Sequence, residues 1–309
     1  MNVVFMGTPD FADNCLKALM ASHHKVKAVF TRADSRQSRG MKLKMPPVKQ
    51  TALDNGIPVF QPATLKDPDI KKALYDLNPD IIVVAAYGML LPSDILNLPR
   101  YGCINVHASL LPKYRGASPI NAAIINGESQ SGVTIMKMAR KLDTGDILIS
   151  QPVNIAPDDS FGSLHDKLAK EGAGLLLRAL DLIESGSAQY IKQDDSLSSY
   201  AHMIKNEDAL VSFLSDARKV SRHIRGYDPV PGAFGFLGSE KIKLFGATYF
   251  DGSIEMKPGK VIRCGKDGLL VQAENGTVLI REVQLSGKKR MSADDCFRGR
   301  PKLLDEVFK

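Results

Sequence analysis

Three polar side chains near the middle of this chain could together carry out an acyl transfer. Asn105 and His107 lie two residues apart in GCINVHASLLPKYRG, residues 102–116, where a short apolar run gives way to polar groups. Residues two apart in a strand project to the same face of a sheet, and the carboxyl ends of parallel strands form ligand-binding edges. Asp143, in LDTGD, follows His107 by 36 positions (143 minus 107), which leaves room for a helix and a strand that return the chain to this edge. We therefore expect an amide, an imidazole and a carboxylate to converge.

These three groups suit a transfer in which the substrate brings its own nucleophile. The Asn105 amide can donate a hydrogen bond to a developing oxyanion without gaining or losing a proton. The His107 imidazole can transfer protons near neutral pH, and the Asp143 carboxylate can hold its tautomer or stabilise its charged form. Because no nucleophilic serine or cysteine is needed, the pattern predicts direct transfer of an acyl group to an incoming amine.

The segments around these residues resemble the folate-dependent formyltransferases. The resemblance rests on five motifs in order along the chain: FMGTPDFA (5–12), VAAYGMLLP (84–92), NVHASLLPKYRGASPI (105–120), GVTIMKM (132–138) and LDTGDIL (142–148). Over the full length, the chain is similar to the members of that family that formylate methionyl-tRNA. The resemblance implies 10-formyltetrahydrofolate as co-substrate, initiator methionyl-tRNA as partner, and Asn105, His107 and Asp143 as catalytic residues.

The resemblance also implies where the folate binds. The family's SLLP signature and the loop after the apolar strand DIIVVAAY correspond to two sets of residues: Ser109, Leu110, Leu111 and Pro112, and Tyr87, Gly88, Met89 and Leu90. A strand buried on both faces that ends in a turn leaves backbone groups at the sheet edge, which favours a pocket wall there. In the family this loop and the LDTGD turn hold the pterin ring. For Tyr87, packing in the core is an equal alternative.

Basic residues are concentrated in two parts of the chain. Of the net charge of +7, residues 205–309 contribute +5, with 19 Lys plus Arg against 14 Asp plus Glu, whereas residues 1–204 hold 22 against 20. Within the first part, residues 32–49 carry six basic residues and a single acid, Asp34. Such local fields suit a polyanion, and a solvated charged face is the alternative.

Three groups of basic residues are therefore candidate tRNA contacts. One lies in the 32–49 insertion loop, which lacks a hydrophobic period, one forms a stripe on a helix predicted over 215–225, and one lies in the SGKKRM loop at 286–291. In that order they are Arg39, Lys42 and Lys44; Arg218, Arg222 and Arg225; and Lys288, Lys289 and Arg290. Salt-dependent contacts from such residues to phosphates supply much of the affinity for nucleic acid.

Alternating apolar runs and helical patterns predict an α/β protein with two domains. Residues 1–188 are expected to form the formyltransferase catalytic domain, with a Rossmann-like, doubly wound and mostly parallel sheet. The polar stretch 189–207 is predicted as a linker. Residues 208–309 are expected to form a smaller OB-like antiparallel β-barrel that binds tRNA, because short apolar runs are separated there by Asp-Gly and Asn-Gly turns. The predicted strands are 241–249, 259–264, 268–273 and 277–284.

Several classes of cofactor and location are not expected. The first strand is followed by Gly7-Thr8-Pro9 and not by GxGxxG, which argues against a dinucleotide. The four cysteines are scattered, without a CxxC pair, which argues against a metal site. No apolar run reaches the roughly 18 residues of a membrane span. The first residues lack the features of a signal peptide, so a cytoplasmic protein is expected.

The catalytic residues are compatible with more than one acceptor of the formyl group. A sugar amine or another small amine is an alternative acceptor, and water would be the acceptor in a formyltetrahydrofolate hydrolase. A noncatalytic RNA-binding protein that retains the fold is a further alternative, which the intact set of three polar residues disfavours. The basic segments favour tRNA over these alternatives.

Overall fold

The structure is a computed structural model that describes residues 1–37, 42–252 and 256–309, and it divides into two compact units. Unit 1 comprises Met1–Gly116, Ser131–Val153 and His165–Tyr200, and unit 2 comprises Ala117–Gln130, Asn154–Leu164 and Ala201–Lys309. Because unit 2 includes two segments that lie within residues 1–188, the domain bounds expected from the sequence remain a proposal. Within the described ranges, every helix is too short or too polar to cross a membrane.

The elements follow the order expected for an α/β unit and then a β unit. The strands are β1 (Asn2–Gly7), β2 (Lys25–Phe30), β3 (Ser35–Gln37), β4 (Lys42–Lys44), β5 (Val59–Phe60), β6 (Ile81–Ala85), β7 (Cys103–His107), β8 (Arg115–Gly116), β9 (Gln130–Lys137), β10 (Ile147–Asn154), β11 (Tyr200–Ala201), β12 (Ala233–Leu237), β13 (Glu240–Asp251), β14 (Val261–Gly265), β15 (Gly268–Gln272), β16 (Gly276–Leu285) and β17 (Met291–Ser292). The α-helices are α1 (Asp10–Met20), α2 (Pro47–Asp54), α3 (Pro68–Leu77), α4 (Ser93–Leu96), α5 (Pro119–Ile125), α6 (Phe161–Glu184), α7 (Ala217–Gly226) and α8 (Ala293–Arg298).

Unit 1 is built on a seven-stranded sheet in the order β10-β9-β7-β6-β1-β2-β5. The pairs β1–β2, β1–β6, β2–β5 and β6–β7 are parallel. The chain builds outward from β1 in one direction through β2 and β5 and then in the other through β6 and β7, so the order reverses between β1 and β6, where open α/β sheets bind ligands. This arrangement confirms the predicted Rossmann-like, mostly parallel sheet.

The continuous apolar runs of β1 and β6 account for the centre of this sheet. All five residues of β6 are buried, as are five of the six in β1. A strand covered on both faces needs apolar side chains at successive positions and not only at alternate ones. Helix α6 covers part of the sheet, and a methyl group at Gly172 would lie 3.3 Å from Cγ1 of Val106 and 3.5 Å from Cγ1 of Val133.

Strand β9 runs antiparallel to β7, which changes how Asp143 reaches the site. His107 pairs with Thr134 and Ile104 pairs with Lys137, so β9 ends beside the start of β7. The LDTGD turn therefore begins at the edge opposite to the carboxyl end of β7. Asp143 nevertheless lies beside His107, because the turn runs back along β9 and not because its strand ends at the same edge.

The basic insertion is not a loop without secondary structure. Strands β3 and β4 form an antiparallel hairpin, with Ser35 paired to Lys44 and Gln37 to Lys42. Its base is anchored by Asp34, which accepts hydrogen bonds from Lys49 at 2.8 Å and from Gln61 at 2.9 Å. These two side-chain hydrogen bonds lower the pKa of Asp34. The acid of this segment therefore holds the hairpin to the sheet unit.

Unit 2 contains an antiparallel sheet in the order β12-β13-β16-β15-β14, with β17 added to β16. The last residues of the chain bridge its two edges, since Phe308 pairs with Leu237 at the end of β12 and Val307 pairs with Lys260 beside β14. The small antiparallel barrel expected from the sequence is confirmed. Strand β12 was not anticipated, because DPVPGAF at 228–234 has the composition of a turn.

One side chain in unit 2 joins the barrel to the turn before β12. The Arg290 guanidinium lies 2.7 Å from Oδ1 of Asp228, donates to Glu282 at 2.8 Å and stacks 4.2 Å from the Phe245 ring centroid. The Asp228 carboxylate is buried and also accepts from the backbone N–H of Gly246 in β13, a residue with φ +63°. Arg290 is thus committed to internal partners.

Replacing Arg290 by alanine is expected to lower the free energy of unfolding by about 1–3 kcal/mol, because Asp228 would keep a buried charge without its cation. Chemical denaturation of the full chain measures this change. Lys289→Ala, at the neighbouring exposed position, is the matched control and should stay within about 0.5 kcal/mol. Equal stability of the two variants would contradict a structural role for Arg290.

Candidate active site

Strand β7 presents Asn105 and His107 on one face at the carboxyl end of the sheet. Asn105 is held between Val84 of β6 and Met136 of β9 by backbone pairing. Its side chain is half-buried, and no hydrogen bond joins it to another side chain or backbone group in the part of the chain that the structure describes. A half-buried amide without a protein partner is available to a ligand.

The two nitrogens of His107 have different surroundings. Nε2 lies 3.0 Å from the carbonyl oxygen of Tyr114, and because a carbonyl can only accept, Nε2 carries the hydrogen. Nδ1 lies 3.7 Å from Oδ2 of Asp143. Both side chains are buried, at 6% and 7% exposed. Nδ1 is therefore the nitrogen left to exchange a proton, with a carboxylate close enough to stabilise its charged form.

Asp143, and not Asp146, is the acid of the LDTGD turn that enters the site. Its Oδ2 accepts a hydrogen bond from the backbone N–H of Gly116 at 2.8 Å. Its backbone has φ +52°, which is uncommon for a residue with a Cβ and is tolerated best by Asn and Asp. Asp146 is exposed, and its carbonyl accepts from the backbone N–H of Lys137. The spacing that selected Asp143 thus agrees with its position beside His107.

Gly145 allows the turn to lie directly against β9. A methyl group there would be 1.6 Å from the carbonyl oxygen of Lys137, and backbone cannot move aside as a flexible side chain can. We expect Gly145→Ala to destabilise the chain by roughly 1–3 kcal/mol and to lower turnover, because Asp143 must shift away from His107. The control is Gly174→Ala in α6, where no atom beyond the adjacent residues and the nearby backbone of the helix lies within 4 Å of the new methyl group. Thermal unfolding and turnover of both variants measure the difference, and identical behaviour would contradict this account.

The SLLP signature builds the bend after β7. Ser109 is buried, and its hydroxyl donates to the carbonyl of Lys113 at 2.7 Å. The Thr134 hydroxyl donates to the Ser109 carbonyl at 2.7 Å and accepts from the backbone N–H of Leu111. The Leu111–Pro112 peptide is cis. Leu110 is half-buried, and its side chain comes within 2.5 Å of the position of a methyl group at Gly132. Ser109 and Leu111 are thus buried in the bend, and folate contacts for the signature remain a prediction.

The loop after β6 offers backbone and one exposed apolar side chain. Tyr87 is 2% exposed within an apolar cluster, and burial raises its pKa to about 12, so its ring packs in the core. Gly88 has φ +76°, Met89 is half-buried, and Leu90 is 74% exposed. Leu142, in the Asp143 turn, is 53% exposed. Exposed apolar side chains on the loop after β6 and on the Asp143 turn suit a flat, partly apolar ligand such as a pterin, so folate contacts remain a prediction for this loop.

The candidate tRNA contacts differ in their availability. Lys44, Lys288 and Lys289 are exposed, Arg39 lies outside the described residues, and so does the side chain of Lys42. Arg290 is committed to Asp228 and Glu282, as described above. Contact with tRNA is a prediction for all of these residues.

The arginines of α7 do not form a single exposed stripe. Arg218 pairs with Asp251 at 3.1 Å and lies 5.0 Å from the Tyr249 ring centroid. A methyl group at Gly127 would be 2.1 Å from Cζ of Arg222, so that guanidinium packs against backbone. Arg225 is 8% exposed and donates to the Asp159 carbonyl at 2.6 Å, and its predicted exposure is therefore wrong. The helical spacing correctly places the three arginines near one another on the helix surface, but it does not predict that Arg225 is buried.

Two residues that contact the site, Gln193 and Ser199, were not singled out from the sequence. Gln193 accepts hydrogen bonds from Arg115, which is 2% exposed, and the Ser199 hydroxyl accepts from the backbone N–H of Tyr114. Both residues lie in the segment 189–207 that was expected to be a linker. No local pattern distinguishes a buried polar residue from a solvated one in a polar stretch, so the sequence carried no signal for either residue.

The cysteines and the metal-capable groups lie apart from this chemistry. Cys103 is buried, its pKa is raised to about 12 by burial, and its thiol donates to the carbonyl of Ile95, as expected for a core thiol. Within the described residues, His23, His24 and Asp181 bring ligand atoms within 4.8 Å of one another. The two histidines precede β2, at the sheet edge opposite to His107.

Comparisons with known proteins match both parts of the chain to one family. Residues 1–180 match the family described as "Formyl transferase" and residues 203–301 match "Formyl transferase, C-terminal domain". The chain is 46% identical over 299 residues to a methionyl-tRNA formyltransferase of Syntrophus aciditrophicus, covering 97% of this chain and 96% of that protein. It is 44% identical over 308 residues to one of Moorella thermoacetica, covering 100% and 99%.

Solved structures share the fold at lower identity. HypX from Aquifex aeolicus in complex with tetrahydrofolic acid has a TM-score of 0.69 at 17% identity over 99% of this chain, which spans 48% of that protein. An N-formyltransferase from Helicobacter canadensis with folinic acid and dTDP-3-aminofucose has a TM-score of 0.69 at 19% identity, over 90% of this chain and 98% of that one. With both family domains matched in order and close relatives covered over almost their whole length, the chain belongs to the formyl transferase family.

Proposed function

We infer that this chain transfers a formyl group from 10-formyltetrahydrofolate to the amino group of methionine on initiator tRNA, the reaction that prepares this tRNA for translation initiation. The observation that carries this assignment is the 44–46% identity, across both family domains, to methionyl-tRNA formyltransferases. This similarity indicates both the acceptor and the reaction, whereas the arrangement of side chains at the sheet edge indicates only the reaction.

The chemistry is assigned to three side chains. 10-Formyltetrahydrofolate, as co-substrate, supplies the formyl group and receives the proton on the nitrogen that the group leaves. Asn105 donates its free amide N–H to the formyl oxygen as negative charge develops there. His107 takes the proton of the attacking amine at Nδ1, while Asp143 stabilises the imidazolium across the 3.7 Å that separates them.

The transfer neither consumes nor releases a proton overall, so it needs a group that accepts a proton and then passes it on. One N–C bond forms to the amine, one breaks at the folate nitrogen, and one proton moves from the first nitrogen to the second. His107 suits this role because its Nε2 is held by the Tyr114 carbonyl, which leaves Nδ1 to accept the proton and then release it. Protonated Nδ1 can also donate to the oxyanion, beside Asn105.

The tRNA contacts are proposed to come from exposed basic residues. Lys44 lies on the hairpin of the insertion, and Lys288 and Lys289 follow β16 in unit 2. Their charges suit phosphate groups. Arg39 and Lys42 belong to the same proposal on the basis of sequence. Arg218 and Arg222 are secondary candidates, because one is paired with Asp251 and the other packs on Gly127.

Lys288→Gln with Lys289→Gln is expected to raise KM for methionyl-tRNA and to reduce the slope of log affinity against log salt by roughly 1 to 2 units, because one phosphate contact is lost for each charge. Folate KM should not change. The control is Lys266→Gln with Lys302→Gln, which removes the same charge from two other exposed positions. If both double variants lose the same affinity for methionyl-tRNA, the net charge of the protein and not a local contact is responsible.

One competition experiment tests the assignment against its alternatives. The chain is incubated with 10-formyltetrahydrofolate and either methionyl-initiator tRNA or dTDP-3-aminofucose, the ligand of the similar Helicobacter canadensis structure. Formylation of the tRNA is expected. Formylation of the sugar alone would favour a small-amine acceptor, release of formate alone would favour a hydrolase, and RNA binding without turnover would favour a noncatalytic protein.

The remaining expectations form part of the same proposal. Action in the cytoplasm follows from the use of a charged tRNA as substrate. The Gly7-Thr8-Pro9 turn after β1 lacks the glycine pattern that accommodates a pyrophosphate, so we propose no dinucleotide.

A further inference from the structure

Gln193 is buried against the turn that carries Asp143. Its side chain is 7% exposed, and its amide nitrogen donates to two carbonyl oxygens of that turn, those of Asp143 at 2.9 Å and Gly145 at 2.7 Å. An amide nitrogen has two hydrogens, so both are used on one turn. The contacts are to the backbone on either side of Thr144 and fix the path of the chain there.

Arg115 holds the other end of the same amide. The Gln193 carbonyl oxygen accepts from Nε of Arg115 at 3.1 Å and from Nη2 at 2.7 Å. Burial by itself would lower the pKa of Arg115, but hydrogen bonds to Asp195 and Tyr200 outweigh it and raise the pKa, so the guanidinium keeps its charge. The charge fixes the orientation of the amide, with oxygen toward the guanidinium and nitrogen toward the turn.

Arg115 also lies between the two backbone groups that contact the proposed catalytic side chains. The preceding residue, Tyr114, accepts from Nε2 of His107, and the following residue, Gly116, donates to Oδ2 of Asp143. The strand that contains Arg115 is in turn held by Ser199, whose carbonyl accepts from the Arg115 backbone N–H at 2.8 Å. One connected set of hydrogen bonds therefore sets the positions of both His107 and Asp143.

The Asp143 turn needs such a support. Its left-handed backbone at φ +52° costs free energy and persists only when surrounding contacts hold it. The 3.7 Å between Nδ1 of His107 and Oδ2 of Asp143 is already longer than a hydrogen bond, so a small shift of the turn would weaken their interaction further.

We propose that Gln193 is a positioning residue for catalysis, which holds the Asp143 turn at the distance from His107 that proton transfer requires and is itself oriented by the charge of Arg115. The proposal rests on the catalytic role of Asp143 given above. It assigns a role to the stretch 189–207 that its polar composition did not suggest.

Two substitutions of nearly equal size separate this role from packing. Gln193→Met keeps the volume and removes both donors. Gln193→Glu strengthens the attraction to Arg115 but places a carboxylate oxygen against two carbonyl oxygens. Each is expected to lower kcat by about 10-fold to 100-fold, as misplacement of a catalytic group does, with little change in KM for either substrate. If Gln193 served only as a partner for Arg115, the Glu variant would retain turnover.

A double-mutant cycle with Asp143→Asn tests whether the effect acts through Asp143. Single-turnover formation of formyl-methionyl-tRNA is measured for the unmodified chain, Gln193→Met, Asp143→Asn and the combination, with Gln50→Met at an exposed position of α2 as control. We expect Gln193→Met to cost far less in the Asp143→Asn background, because the carboxylate that it positions is gone.

The outcomes distinguish this proposal from the proposed function. Equal losses in both backgrounds, or near-normal turnover of Gln193→Met, would overturn the positioning role while leaving the formyl transfer intact. Failure of the unmodified chain to formylate tRNA would instead overturn the function. If Gln193→Met sharply lowers the melting temperature, Gln193→Glu replaces it in the same cycle, because this variant keeps the interaction with Arg115. The same two outcomes then decide whether Gln193 acts through Asp143.

Discussion

Alanine in place of Asn105 is expected to lower kcat by about 100-fold to 1000-fold, the usual cost of removing one oxyanion donor. The affinity for folate should change little, because the formyl oxygen bears a full negative charge only as the amine attacks. No internal hydrogen bond is lost, since the amide has no partner among the described residues, and the thermal stability should therefore be preserved. Steady-state kinetics with methionyl-tRNA and a folate-binding titration measure the two quantities separately.

Asn97→Ala is the matched control for this substitution. Asn97 is an exposed asparagine that follows α4, and its replacement removes the same amide from the surface of the same unit. Normal turnover is expected for it. Near-normal turnover of Asn105→Ala would remove Asn105 from the mechanism, and equal losses in kcat and folate affinity would show that it binds the ground state and does not act selectively on the transition state.

The sheet of unit 1 could be predicted because burial on both faces leaves a clear pattern. The runs at Asn2–Gly7 and Ile81–Ala85 are apolar at successive positions, and each ends at a turn residue, so strand bounds follow from the sequence within one or two residues. The pairing direction of β9 could not be predicted in this way. Six successive residues of β9 are buried between β10 and β7, and such burial is the same for a parallel and an antiparallel strand, so only the path of the chain before β9 decides its direction.

The proposed catalytic residues and the residues that support them differ in how visible they are in the sequence. Asn105, His107 and Asp143 are polar groups at the ends of apolar runs, where a solvated side chain would be unusual, and they stand out for that reason. Gln193 and Ser199 lie in a polar stretch, where a residue that satisfies buried carbonyls looks the same as one in water. Amino-acid composition indicates polarity and not burial. For this reason Gln193 and Ser199 could not be distinguished from the solvated residues of the expected linker.

The charged candidates show the same limit in unit 2. Arg290 lies in the basic loop SGKKRM beside Lys288 and Lys289, and all three carry the same charge. Arg290 alone is paired with a buried carboxylate, because Asp228, 62 residues earlier, is brought beneath it by the barrel. Long-range contacts of this kind separate a structural cation from one that is available to a ligand, and local sequence does not encode them.

Asparagine in place of Asp143 is expected to lower kcat by roughly 100-fold or more, within the range attributed to general acid–base catalysis. The substitution keeps the shape of the side chain and an oxygen that can accept from Gly116, and asparagine tolerates the left-handed backbone at φ +52°. What is lost is the negative charge 3.7 Å from Nδ1 of His107. Without that charge the imidazolium is less stable, and removal of the proton from the attacking amine is slower.

Asp146→Asn provides a control within the same turn. Asp146 lies three positions later and is exposed, and its contribution to the turn is a backbone carbonyl that the substitution retains. Turnover of Asp146→Asn should be normal. The ratio of the turnover rates of Asp146→Asn and Asp143→Asn therefore measures the effect of a negative charge beside His107, separately from the effect of a negative charge elsewhere on the turn. If Asp143→Asn and Asp146→Asn were equally active, proton transfer would not depend on Asp143. His107 would then accept and release the proton without stabilisation of the imidazolium by a neighbouring carboxylate.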